Sequence, residues 1–203
     1  MQHWGLAFDT MDTSQRQDVF GKTVKELPPS PVDGKKILAN IEHFYEKSMA
    51  GDYYAPFDIN SKNFSHIPEE TATWFDELSD HLEDSSRLTE HGDHEMAVRG
   101  FKVLHELIDK MECGGDEIVF ADEYGTWMIT GDEKRFVKSY FSSLSAISSP
   151  EEYASGAIPL IKKDSYESFH NRVSATATKI ANDDQKAYLK TEVKIQKIKT
   201  RSK

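Results

Sequence analysis

The amino-acid sequence predicts a mainly α-helical protein, with about seven helices packed as successive antiparallel hairpins in a bundle or short α-solenoid. Three observations carry that reading. Over residues 74–111, apolar residues recur at helical spacing in two consecutive runs joined by a short polar loop. Further stripes follow between Phe136 and Ile180. Residues that start and stop helices punctuate both sets, and helices of this kind must bury their stripes against one another. The chain has 203 residues, enough to bury a core without a disulfide or metal staple.

Residues 1–32 read as an irregular arm. His3, Trp4, Leu6 and Phe8 form a small apolar knot, and Pro28, Pro29 and Pro31 then prevent regular structure. Residues 33–203 read as a single helical domain. Asp33 is placed to cap a first helix over 34–49, with Ile37, Leu38, Ile41, Phe44, Tyr45 and Ser48 on one side. Gly51 suits its C-terminal cap. The stretch 52–66 reads as a connecting loop held down by Tyr53, Tyr54, Phe57 and Phe64.

Pro68, Glu69 and Glu70 open the second helix, because proline fits a first turn and acids favour the positive end of the helix dipole. Its stripe is Trp74, Phe75, Leu78 and Leu82, with Leu88 near the end. Gly92 and Asp93 introduce a third helix over 95–112, where Met96, Ala97, Phe101, Leu104, Leu107, Ile108 and Met111 form one broad stripe. Next, short apolar runs (Ile118 to Phe120, Trp127 to Ile129) flank the turn Asp122-Glu123-Tyr124-Gly125. They read as a small β-hairpin near 117–129, or as an extended loop packed by its aromatics.

Phe136, Val137, Tyr140, Phe141, Leu144 and Ile147 define a further helix. Ser149-Pro150-Glu151-Glu152 is a capping box with proline at the first helical position, and Pro159 should kink or end the helix it starts. Asp164 with Glu167 can cap the next, striped by Tyr166, Phe169, Val173, Ala177 and Ile180. Asp183 or Asp184 is then expected to cap a final basic helix bearing Tyr188, Leu189, Val193 and Ile198.

The formal charge of −10 argues against general nucleic-acid binding, which needs clustered cations. The charge is uneven: residues 65–125 carry 17 acids against 4 bases, whereas residues 186–203 carry 7 bases against one acid. The acidic half is the expected recognition surface, for another protein with a basic surface, and reads equally as a solvated helix face. No apolar run approaches the ~18 residues of a membrane span. The first twelve residues lack a secretory-signal pattern, and the one cysteine, Cys113, allows no intramolecular disulfide. These features predict a cytoplasmic protein without membrane contact or cofactor, and leave the oligomeric state open.

Residues 92–104 resemble the second half of a tetratricopeptide repeat: Ala97, Phe101 and Leu104 fit the small, aromatic and apolar positions of its second helix. In the first half Ser85 stands at the small position, while Asp84 occupies an apolar one. The likeness spans about one repeat unit, residues 78–111, with no second copy at the ~34-residue period. It implies an antiparallel helix pair and, by analogy, a peptide-binding or scaffold role.

Residues that could carry chemistry are few. Asp122, Glu123, Tyr124 and Trp127 are the expected binding residues, because aromatics supply energy at interface centres and acids steer a basic partner. His91, Asp93, His94 and Glu95 are close enough in sequence to suggest a metal, yet they read equally as capping residues. Cys113 lies about 25 Å away along an ideal helix, where the C-terminal dipole disfavours its thiolate. His43, His81 and His105 are alternative metal or catalytic candidates if they converge with Glu106 or Asp109 between helices. Asp116, Glu117, Asp122 and Glu123 form no selected acid–base pair.

Overall fold

In the computed structural model the described residues are 32–54, 62, 69–112, 118–119, 128–163 and 173–201. The chain divides into two units, Met1–Val32 and Asp33–Lys203; the first, apart from Val32, lies outside the described residues. Seven helices and no strand occur among the described residues: α1 Gly34–Ala50, α2 Glu69–Glu90, α3 His94–Glu112, α4 Glu133–Ile147, α5 Pro150–Lys162, α6 Val173–Ile180 and α7 Asp183–Arg201.

Local chemistry sets the helix ends. The Asp33 carboxylate accepts from the Lys36 amide at 3.1 Å and starts α1. At its end Gly51 is left-handed, with φ 80°, and the amides of Gly51 and Asp52 return to the carbonyls of Ser48 and Lys47. The same geometry recurs at Gly92, where the amides of Gly92 and Asp93 reach Thr89 and Leu88. Gly92 therefore closes α2, and α3 opens two residues later. Asp132 caps α4 through the Arg135 amide, and both bonds of the Ser149–Glu152 box are formed at α5.

Two expectations about helix ends are corrected. Neither Asp183 nor Asp184 caps α7. Asn182 does, its side chain accepting from the Gln185 amide at 2.9 Å while the Gln185 side chain accepts from the Asn182 amide at 3.1 Å. The two aspartates occupy the first turn, where their charge complements the dipole. Pro159 does not end α5, which continues three residues further to Lys162. Only the Ser155 carbonyl loses its helical donor there, and buried Ala157, Ile158 and Leu160 hold the last turns on the core.

A single apolar cluster runs from Ile41 to Leu189 and draws on all seven helices. Helix α3 lies at its centre, packed on α1, α2 and α4; Phe101, Leu104, Leu107 and Ile108 are all wholly buried. Helices α2 and α3 form an antiparallel hairpin across a three-residue link. In the C-terminal half the main partnerships skip one helix, with α4 against α6 and α5 against α7. The cause lies in the link between α4 and α5: Ser148 and Ser149 are both extended, which carries the chain onward instead of folding it back.

Polar ties cross these interfaces. The Tyr53 hydroxyl accepts from Lys47 and donates to Glu77 at 2.7 Å, and the Tyr153 hydroxyl donates to the Ala177 carbonyl at 2.7 Å. The fully buried Gln185 side chain donates to the carbonyls of Ser145 and Ser148 and accepts from the Ser145 hydroxyl, clasping the end of α4. Ile147 and Tyr188, expected within apolar stripes, are 48% and 37% exposed. Tyr188 is the neighbour of buried Leu189, and Ile147 is the last residue of α4, where the stripe runs out. The Ile198 side chain and residues 164–172, with the expected Asp164 cap, lie outside the described set.

Candidate functional site

Helix α3 turns Lys102, His105, Glu106 and Asp109 toward α5, a spacing that keeps all four on one side of a helix. Opposite them, α5 contributes Glu152, Ser155, Gly156, Pro159 and Leu160, and Tyr140 of α4 closes the floor. The space between is an open cleft of about 380 Å³, within the range that small ligands and side chains occupy. Gly156 permits the close approach of α5: a Cβ there would stand 2.9 Å from Leu144 Cδ2 and 3.1 Å from the Tyr140 hydroxyl.

The floor is aromatic and uncharged at its phenol. Tyr140 donates to the Gly156 carbonyl at 3.2 Å, and burial pushes its phenol up to about 12. His105, only 7% exposed, lies edge-on to Tyr140 at 5.4 Å between ring centroids and stacks on Phe101.

The walls carry charge. Glu106 accepts from the Tyr45 hydroxyl at 2.7 Å and has Lys110 at 3.8 Å. Asp109 pairs with Lys163. Glu152 is held below the ordinary carboxylate range by hydrogen bonding from Ser149, backbone first, with help from the Lys102 charge.

A second surface lies along α2. Its flanking acids are neutralised: Arg135 forks onto both Glu83 oxygens at 2.6 Å and onto Glu90 at 2.8 Å. Glu77 faces Lys47 at 3.9 Å, and Asp84 binds Arg87 at 3.0 Å. Glu69, Asp76 and Asp80 share the outward side of the helix, are exposed, and make no ion pair among the described residues.

Asp122, Glu123, Tyr124 and Trp127 lie outside the described residues, as do Cys113, Asp116 and Glu117. Of the segment expected to form a hairpin, Ile118 and Val119 are buried, and Met128 and Ile129 pack against the core. The three alternative histidines occupy different surroundings. His43 is exposed. His81 rests on Phe44 with ring centroids 5.0 Å apart, and only His105 enters the cleft, where Glu106 and Asp109 join it. Among the described residues no group of three or more His, Cys, Asp or Glu side chains is placed to hold a metal ion.

His94 ties helices together: its Nδ1 stands 3.1 Å from the Ser143 hydroxyl, which lies 2.8 Å from that of Thr89. Ser143 is fully buried, so this serine–histidine pair offers no access to a substrate. No family model, curated protein or solved structure matches the chain. No helix among the described residues is long and apolar enough to cross a membrane. Sequence reasoning grouped His105 with Glu106 and Asp109 but missed Lys102 and the whole α5 wall. The Gly156–Pro159 spacing was the available signal, because both residues weaken a helix interior and therefore need a reason to be there.

Proposed function

We propose that this chain is a non-catalytic, cytoplasmic protein-interaction domain, adaptor-like or inhibitor-like, that engages a basic segment of another protein. The observation that carries the reading is the outward stripe of Glu69, Asp76 and Asp80 on α2, which pairs with no cation among the described residues while the acids beside it are paired internally. Unneutralised carboxylates on a rigid helix steer a cationic partner and set its orientation. The expected aromatic contribution of Tyr124 and Trp127 belongs to the same proposal, as does the tetratricopeptide-like pairing of residues 78–111. Complete burial of Ala97, Phe101 and Leu104 is compatible with that pairing and with any tightly packed helical hairpin.

A labelled deca-lysine peptide tests the reading. Neutralising the stripe together (Glu69→Gln, Asp76→Asn and Asp80→Asn) should weaken binding about tenfold, roughly 1.4 kcal/mol. Raising salt should weaken the parent protein's binding in the same direction. Equal affinity for parent and triple variant would remove the stripe from recognition.

A further inference from the structure

We propose that the cleft between α3, α4 and α5 receives one arginine or lysine side chain of a partner protein. This rests on the reading of the chain as a binder of basic segments and adds a specific socket to it. The cleft is far larger than the roughly 30 Å³ share of one water molecule, and it is open to solvent.

Its two ends suit the two ends of a basic side chain. Pro159 and Leu160 offer an apolar wall for an alkyl stem. Past them stand acceptors, Glu106 from α3 and Glu152 from α5. Arginine and lysine bring five and three N–H donors to such carboxylates.

Among the lining residues three carboxylates face one lysine, Lys102, and Lys110 reaches Glu106 at 3.8 Å from outside the lining. Lys163 sits on Asp109, the innermost acid of α3. Glu106 and Glu152 are held by hydrogen bonds from a tyrosine hydroxyl and a backbone amide. Those bonds fix the carboxylates in place and leave their charge in the cleft, and surface ion pairs with flexible lysines exchange at little cost.

The test uses the full ¹⁵N-labelled chain titrated with acetyl-arginine-amide and acetyl-lysine-amide, against acetyl-norleucine-amide for the stem and acetyl-citrulline-amide for an uncharged head. The expected result is saturable shifts at the amides of Lys102, Gly156 and Leu160 with the two cations, at least fivefold weaker with both neutral probes. The double variant Glu106→Gln, Glu152→Gln should weaken the cations at least fivefold. Glutamine preserves both the tyrosine contact and the capping box, so a matching melting curve certifies the fold. Equal shifts with all four probes, or no saturable shift at the cleft, overturns the proposal. Cation shifts confined to Glu69, Asp76 and Asp80 also overturn the socket, while leaving the acidic-stripe reading standing.

Discussion

The Trp74 indole donates to the Ser48 hydroxyl at 2.9 Å across the α1–α2 interface, and both residues are fully buried. Ser48 passes its own proton to the Phe44 carbonyl at 2.8 Å, so one small hydroxyl satisfies two helices. Ser48→Ala should strand the indole N–H in the core and cost about 1–3 kcal/mol. Trp74→Phe removes the donor as well, so a double-mutant cycle in urea should give strong coupling. Additive losses would show that the bond carries no share of the interface.

Gly100 lies where α3 approaches both α1 and α2 closely. A Cβ there would stand 2.8 Å from Ser85 Oγ and 3.0 Å from Ile41 Cδ1. Gly100→Ala should therefore destabilise by about 1–3 kcal/mol, despite alanine's better helix propensity. Ser85 Oγ is buried without a hydrogen-bond partner among the described residues. Ser85→Ala alone should be neutral or stabilising, and combined with Gly100→Ala it should recover most of the loss. Thermal melting of the four proteins checks both signs.

His81 makes stability depend on pH. Burial lowers its pKa below the ordinary 6.5, outweighing the opposing pull of Asp84, Glu77 and Asp80. A depressed histidine is neutral in the folded state and more readily protonated when unfolded. Its favourable share is thus present above about pH 6.5 and is lost as pH falls through the folded pKa. Urea unfolding at pH 7.5 and 5.5 should show a smaller drop for His81→Gln than for the parent; an equal drop places the pH dependence elsewhere.

Gln185 is the polar clasp between α7 and α4. Gln185→Ala leaves the carbonyls of Ser145 and Ser148 without this donor and removes half of the α7 capping box. A loss of about 2–4 kcal/mol is expected from several buried bonds acting together. Limited proteolysis should then cut between α6 and α7 well before the parent is touched. An unchanged cleavage pattern would mean that packing on α5 alone retains the last helix.

Helices were legible wherever a stripe and its end signals agreed. Asp33, Gly51 and the Ser149–Glu152 box sit where their chemistry requires, and α1 to α3 fall within a residue or two of expectation. Asn182 was overshadowed by two adjacent aspartates, although only it has a glutamine three residues on to complete the box. Pro159 does not stop its helix because the cost of one lost backbone bond is local, whereas the burial that outweighs it comes from distant helices. The cleft was half visible: three residues of α3 share one face in any helix, but that α5 lies opposite depends on a corner at Ser148 and Ser149. Charge counting likewise gave the sign of the α2 region without showing which acids Arg135 and Lys47 had already cancelled.

Arg135 spans Glu83 and Glu90, two turns apart on the neighbouring helix, and so silences one flank of α2 while its outer side keeps its field. With one flank cancelled, α2 carries a lopsided field, so a cation drifting past is drawn to one edge of the helix rather than along its whole surface.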